Sequence, residues 1–479
     1  MIGLRSFVGT LRRNASIFAM SSGSLPAALA IVRISGPESK DVLRRLTKKS
    51  EFETNRLFYS PIYDVEKQEL IDRCMLVFLK GPRTFTGEDT AEIFCHGSKA
   101  VVAKLLETLS QIDGLSPAKA GEFTRRAFFN KKMDVAEVES LNDLLQAETP
   151  LQLRLAHRQN EASKRLKPFR DSLINITAQV EASIDFAEDI EDQQHLEWKR
   201  QTIAKSRKLK DELSDLLKST CRAILIRRGV KVALVGRTNV GKSSLINRLA
   251  ERDVAIVSNL PVAYCSGTTR DSLETRIFLN GNLPLTIFDT AGLRTTTDEL
   301  ENEGIVRTIK RVNEAHIVVF VISAEDIVFN GNFSIDQEIN YLKSSLTDVP
   351  IANVVLCLNK SDLLSQQHKS SLLADTKLPI ILINTLSNEA VSPLISTLAE
   401  RMSDLANENN DLFLSRERHV HLLETIIDQL EEFENAIDVD IAIAAQHLKN
   451  CTLAIGEITG QVTNDTIMNK VFSEFCIGK

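Results

Sequence analysis

The sequence predicts a multidomain chain of mixed α/β and all-α class, and three observations carry that expectation. From Val230 to about Ser403, short β-branched runs alternate with helical segments. KVALV, PLTIF, IVVFVIS and VVLCL are each bounded by Gly, Asp or Asn, as a parallel sheet with crossover helices requires. From Val135 to about Arg228 glycine all but disappears, and apolar residues recur at helical spacing through VAEVESLNDLLQAE. Residues 17–134 mix both patterns: AALAIVRIS (27–35) and RCMLVFLK (73–80) read as strands, and AVVAKLLETLSQI (100–112) as a helix. The tail from about Leu405 is helical again, through HVHLLETIIDQLEEFENAI.

At 479 residues the chain has room for about three domains of ~150 residues. Its 43% hydrophobic and 25% charged content sit near globular averages, which excludes disorder, collagen and coiled coil as the whole answer. The longest strongly apolar stretch, around Ala315–Ala324, falls far short of the ~20 residues that span a bilayer. A soluble protein with no integral membrane segment is expected. Seven cysteines, odd in number and without a CxxC pair, read as free thiols in a reducing compartment. The net charge of −6 argues against non-specific coating of nucleic acid but leaves room for a local RNA site.

The first residues depart from this average. No Asp or Glu precedes Glu38, while Arg5, Arg12, Arg13 and Arg33 all do. Residues 1–16, MIGLRSFVGTLRRNAS, have the amphipathic, acid-free composition of a mitochondrial presequence, which implies the matrix. The other reading is a ragged N-terminus whose arginines fall there by chance.

The chemistry is concentrated between Val230 and Asp362. Strand Val230–Val235 runs into Gly236-Arg-Thr-Asn-Val-Gly241-Lys242-Ser243 and then the helical SLINRLA. This is a phosphate-binding loop in its proper strand–loop–helix context. The backbone from Asn239 and Val240 through Gly241 to Ser244 would cradle the α- and β-phosphates. Lys242 would reach the β- and γ-phosphates, and the Ser243 hydroxyl would ligate Mg²⁺. Asp289-Thr290-Ala291-Gly292 follows PLTIF, as a metal-sensing Asp and a γ-phosphate-sensing Gly must. Asn359-Lys360-Ser-Asp362 follows VVLCL. There Asp362 can accept from guanine N1–H and N2–H₂, a pattern adenine cannot offer, with Asn359 and Lys360 supporting the base. Thr268 and Thr269 in SGTTRD could supply the switch hydroxyl on Mg²⁺. Four elements in order predict a P-loop GTPase domain. Leu293 stands where Ras-like proteins carry the water-orienting Gln, so a cation, a displaced carboxylate or a second chain must orient the water.

Read with their flanks, these residues resemble the MnmE/TrmE family of tRNA-modification GTPases in its mitochondrial form. RISGP (33–37), TFTGED (84–89), GEFTRRAFFNKKMD (121–134), SIDFAEDIE (183–191), GTTRD (267–271), DTAGLR (289–294) and the terminal CIGK (476–479) carry the resemblance. It implies an α+β tetrahydrofolate-binding, dimerising domain over 17–134. It also implies a helical domain split into 135–228 and 405–479, with the GTPase domain (229–404) inserted between. The folate positions matched are Arg33, Glu92, Lys132 and Lys479. A Glu can pair a pterin edge, and Arg and Lys attract the folate carboxylates; the ligand would be 5,10-methylene- or 5-formyl-tetrahydrofolate. The resemblance further implies K⁺-dependent hydrolysis by dimerising G domains, with Asn239 as a K⁺ ligand. Glu301 matches a carboxylate that orients or activates water; an acidic first helical turn is the other reading of 298–303. Cys476 is given a catalytic place at the folate site, against the alternative of a buried inert thiol.

Three segments depart from the family pattern. Nine residues, SNLPVAYCS (258–266), replace a four-residue stretch in the loop that wraps K⁺, leaving Ser258 as the K⁺ ligand matched there. Asn384-Thr-Leu-Ser follows PIILI (379–383) where Ser-Ala is usual, and MSSGSLPAA (20–28) alters an N-terminal loop.

The function expected is that of a GTPase working with an MnmG/GidA-type FAD protein as a heterotetramer built on its own homodimer. The pair would install an aminomethyl-derived group, carboxymethylaminomethyl or taurinomethyl, at C5 of the wobble uridine of mitochondrial tRNA. Folate would provide the one-carbon unit. The alternative is an Era-type, GTP-switched RNA-binding or ribosome-assembly factor. The N-terminal domain and CIGK speak against it, because an Era-type protein carries a basic RNA-binding domain after the G domain.

Overall fold

The computed structural model describes residues 15–185, 192–237, 239–257, 274–279, 283–289, 312–329, 337, 353–365, 380–387, 389–405, 412–460, 471–472 and 475–478. In chain order the elements are β1 (Ser16–Met20), β2 (Leu29–Ser35), α1 (Ser39–Thr47), β3 (Phe58–Tyr63), β4 (Leu70–Leu79), β5 (Thr90–His96), α2 (Lys99–Ser110), β6 (Leu115–Pro117), α3 (Glu122–Phe129), α4 (Val135–Gln146), α5 (Pro150–Gln159), α6 (Ala162–Asp185) and α7 (Asp192–Arg228). They continue with β7 (Val230–Val235), α8 (Lys242–Val257), β8 (Glu274–Leu279), β9 (Leu283–Asp289), β10 (Ile317–Ser323), α9 (Ala324–Phe329), β11 (Val354–Asn359), β12 (Ile380–Leu382), α10 (Ser392–Leu405), α11 (Glu417–Ala436) and α12 (Ile441–Thr459).

The chain forms two compact units: residues 1–145, 160–207 and 428–479 make one, and 146–159 with 208–427 make the other. Segments of the two units alternate along the sequence. Among the described residues no helix is long and apolar enough to cross a membrane.

The first unit is built on a six-stranded sheet, β3-β4-β5-β2-β1-β6, antiparallel except where β1 pairs with β6. Strand period two sorts its faces. Ala30, Val32 and Ile34 of β2 are fully buried with Val42, Leu43 and Leu46 of α1 and Leu105 and Leu109 of α2. Arg33 therefore points to the opposite face, where Ile17 and Ala19 of β1 meet Phe123 of α3. The described residues begin within the segment read as a presequence: Ser16 is buried in β1, and its Oγ accepts from Glu38 N at 2.9 Å. Residues 1–14, which carry the rest of that expectation, lie outside the described residues. Beyond the sheet, α6 packs along α12. Val471, Phe472 and Phe475 pack on Val135 and Val138 of α4.

The second unit holds a six-stranded sheet, β12-β11-β10-β7-β9-β8, parallel except for the β8–β9 edge. All seven residues of β10 are buried, as a parallel strand covered on both faces must be. One face packs on Leu245 and Leu249 of α8 and Leu394 and Leu398 of α10. The other gathers Val235, Phe320, Leu356 and Leu358. Strand order reverses beside β7, so the loop after β7 opens at the switch point where α/β sheets bind ligands. α5 joins this unit: Gln152 Nε2 donates to the terminal carbonyls of α7, Arg227 O at 3.0 Å and Ile226 O at 3.3 Å.

Candidate functional site

The phosphate loop leaves β7 at Gly236. A Cβ there would lie 2.3 Å from Val321 O of β10, so only glycine passes this close to the neighbouring strand. Gly241, at φ +96, would put a Cβ 2.3 Å from Asn359 Nδ2. That crowding has a purpose. Asn359, fully buried at the end of β11, donates from Nδ2 to Val240 O at 2.8 Å, locking the base-recognition motif to the phosphate loop. Lys242 is 8% exposed, and its Nζ donates to Gly236 O at 2.9 Å and Arg237 O at 2.8 Å. Ser243 and Ser244 are exposed in the first turn of α8, where the helix dipole favours an anion. Asn239 is exposed at φ +65. Asp289 ends β9 opposite Leu234, which brings its backbone beside the root of the phosphate loop.

The base-recognition end is set by backbone geometry. Lys360 adopts φ +58 and leads into a 3₁₀ turn, Ser361–Leu363, on which Asp362 is exposed. Ser361 N donates to Ile383 O at 3.1 Å, and Ile383 N to Leu358 O at 2.9 Å, so this turn and the 384–386 loop are held together. In that loop Asn384 Oδ1 accepts from Leu386 N at 2.9 Å. Arg248 of α8 donates from Nε to Thr385 O at 3.1 Å. Lys360 Nζ forms an ion pair with Glu325.

Of the nucleotide-site residues expected from sequence, Asn239 through Ser244, Asp289, Asn359, Lys360 and Asp362 thus gather at one end of one sheet. Ser258, Thr268, Thr269, Thr290, Ala291, Gly292 and Glu301 lie outside the described residues. Sequence reading missed Arg248 and Glu325. Arg248 carried no local signal, since its contact spans 137 residues. Glu325 had one: an acidic residue two positions after the strand IVVFVIS.

In the first unit, Arg33 and Glu92 are cross-strand neighbours on β2 and β5, with Nε to Oε1 at 2.8 Å. The guanidinium lies 5.8 Å from the Phe85 ring centroid and 5.9 Å from that of Phe123. The loop carrying Phe85 also meets Lys132, whose Nζ donates to Pro82 O at 3.0 Å. Glu88 anchors this loop, accepting from Ser35 Oγ at 2.7 Å and Arg126 at 3.1 Å. The chain's end returns here. Ile477 bridges to Ala120, Gly121 N donates to Cys476 O at 3.4 Å, and a Cβ on Gly478 would lie 2.0 Å from Met20 O. Met20 follows Ala19, the register partner of Arg33. Arg33, Glu92, Lys132 and the approach to the C-terminus therefore meet around one loop and one strand end; Lys479 itself lies outside the described residues. Cys476 is exposed, unlike Cys74, Cys95 and Cys451, whose thiols burial pushes up to about 12, 11 and 12. Those three are essentially without thiolate at neutral pH.

Residues 16–132 match the family described as GTP-binding protein TrmE N-terminus, and residues 135–476 match the MnmE helical domain. A tRNA modification GTPase MnmE of Rickettsia prowazekii (strain Madrid E) is 36% identical over 467 residues, covering 97% of this chain and all of the relative. The protein of the same name from Rickettsia typhi (strain ATCC VR-144 / Wilmington) is 36% identical over 468 residues, with the same coverage. Among solved structures, Aquifex aeolicus Era Y63A bound to GDP.AlF4- matches 42% of this chain and 66% of its own at 21% identity and a TM-score of 0.27. The G domain of the T. maritima FeoB iron transporter matches 37% and 98% at 21% identity and a TM-score of 0.24. With two family matches along the chain and relatives 36% identical over their full length, the chain belongs to the MnmE/TrmE family of tRNA modification GTPases.

Proposed function

We propose that this GTP-hydrolysing enzyme acts in mitochondrial tRNA modification together with an MnmG/GidA-type flavoprotein. The product is a carboxymethylaminomethyl or taurinomethyl group at C5 of the wobble uridine. The observation that carries the nucleotide half is the Asn359–Val240 clamp at 2.8 Å. It ties the phosphate-binding and base-recognition motifs together at one level of the sheet, as a site for one nucleotide requires. Lys242 holds the β- and γ-phosphates, Asp362 reads the guanine edge, Asp289 senses the metal, and Gly292 of Thr290-Ala291-Gly292 senses the γ-phosphate. Mg²⁺ fits the exposed Ser243 hydroxyl at a helix N-terminus, with Thr269 as second ligand; bound there, it neutralises charge on the phosphates. K⁺ belongs at the exposed Asn239 side chain with Ser258, where it supplies the positive charge other GTPases take from an arginine finger. Glu301 orients the attacking water.

The folate half rests on the donor set. Glu92 offers an acceptor to a pterin edge. Arg33, held between Phe85 and Phe123, can share its charge with a carboxylate. Lys132 is exposed and, with Lys479, suits the glutamyl tail. Tetrahydrofolate, when bound, supplies the one-carbon unit. Cys476, exposed beside Gly121, would lie near it. A homodimer through the N-terminal domain, joined by two flavoprotein copies, would complete the assembly, and the basic stretch 164–170 with exposed Lys164 and Lys167 offers phosphate contacts to tRNA.

The test pairs GTP turnover of the full chain in KCl and NaCl with nucleoside analysis of mitochondrial tRNA from a deletion strain. Faster turnover in KCl and wobble uridines lacking the C5 group are expected. Equal rates in the two salts would remove the K⁺ assignment, and unchanged wobble uridines would remove the pathway.

A further inference from the structure

The base-recognition lysine is held by a residue outside every nucleotide-binding motif. Ser323 and Asn359 are register partners at the ends of β10 and β11, so the two strands release their loops at the same level. On the β10 side Glu325 follows, its N–H donating to Ser323 Oγ at 3.3 Å. Its Oε2 lies 3.4 Å from the same hydroxyl. On the β11 side Lys360 follows, and its Nζ pairs with that same Oε2. The Lys360 backbone is fixed independently, by its left-handed conformation and by the bond from Ser361 N to Ile383 O. A lysine fixed at both ends has only its methylene stem left to present, and that stem lies two residues before Asp362.

We propose that Glu325 is a positioning residue for the guanine nucleotide, holding Lys360 so that its stem covers the face of the base while Asp362 reads the edge. This rests on the reading of Asn359–Asp362 as the guanine site. Lys Nζ alone is a mobile, strongly hydrated charge on a flexible stem; tying it down removes that freedom before the base arrives. The side chains of the pair are 30% and 46% exposed, so solvent screening keeps the effect modest, about fivefold in affinity.

The experiment measures dissociation constants of N-methylanthraniloyl-GDP and its inosine counterpart for the full chain and for E325A, E325Q, K360A and E325A/K360A. E325A should weaken both nucleotides by about the same fivefold factor, because the base face is common to guanine and hypoxanthine. The loss should fall on KM for GTP, not kcat. E325Q, near-isosteric and still an acceptor, should recover part of it, and adding E325A to K360A should cost nothing more. Wild-type affinity in E325A would overturn the proposal, as would an undiminished loss in the K360A background. A wild-type chain that binds neither nucleotide would instead overturn the guanine-site reading, a result separable from the others.

Discussion

Asp64 shows how much a single buried carboxylate can depend on its neighbours. Its side chain is 1% exposed, yet Lys104 Nζ lies 2.7 Å away, and Asp64 Oδ1 accepts from the N–H of Lys67 at 2.8 Å and Glu66 at 2.9 Å. The Lys104 hydrogen bond foremost, then these backbone donors, holds its carboxyl down at about 2. A carboxyl whose folded value lies below its unfolded value of about 3.9 stabilises the fold fully above that value and loses the contribution as pH falls toward about 2. Thermal unfolding of D64N should therefore show its largest deficit against the parent chain near neutral pH, closing between about pH 4 and pH 2. A gap that stays constant through that window would show that charge is not the cause. At this scale the nucleotide-site expectations could be read because motifs join residue type to spacing, and the structure gathers Lys242, Asn359 and Asp362 at one end of one sheet. Asp64, Arg248 and Glu325 could not be, since each acts through a partner distant in sequence.

Elements followed their local rules closely. The alternation in LAIVRIS sent Ala30, Val32 and Ile34 to the core, and Arg33, out of phase with them, to the candidate folate face. Helix α12 starts where Asp440 Oδ1 accepts from Ala442 N at 2.8 Å and Ile443 N at 3.2 Å. It stops at Gly460, φ +76, where a Cβ would lie 2.3 Å from Val135 Cγ2. The cap is worth about 1 kcal/mol, so D440A should lower the thermal midpoint of unfolding by a few degrees without altering GDP affinity. An unchanged midpoint would mean that packing against α6 alone sets the helix start. Sequence periodicity also gave the strands KVALV, PLTIF, IVVFVIS and VVLCL their places, though not their order. Parallel neighbours are chosen by crossover packing, which no single strand encodes.

At the scale of the whole chain, the end of the sequence completes its beginning. Ile477 and Gly478 lie against Ala120 and Met20, while Phe472 meets Phe128 with ring centroids 6.2 Å apart. Removing residues 476–479 should abolish binding of 5-formyl-tetrahydrofolate, measured by calorimetry, while leaving GDP affinity intact, because the two sites belong to different compact units. Folate affinity equal to that of the intact chain would show that the C-terminus takes no part in the site.

By itself, the sequence determined the class of each segment, the nucleotide chemistry and the family, because periodicity, loop glycines and motif spacing are local properties of the chain. Only the tertiary structure decided which distant residues complete each site. Arg33 meets Glu92 across two strands, Cys476 comes to Gly121, Arg248 secures the 384–386 loop and Glu325 holds Lys360. Those pairings depend on strand order and on where helices cross, and both are settled by burying a shared core.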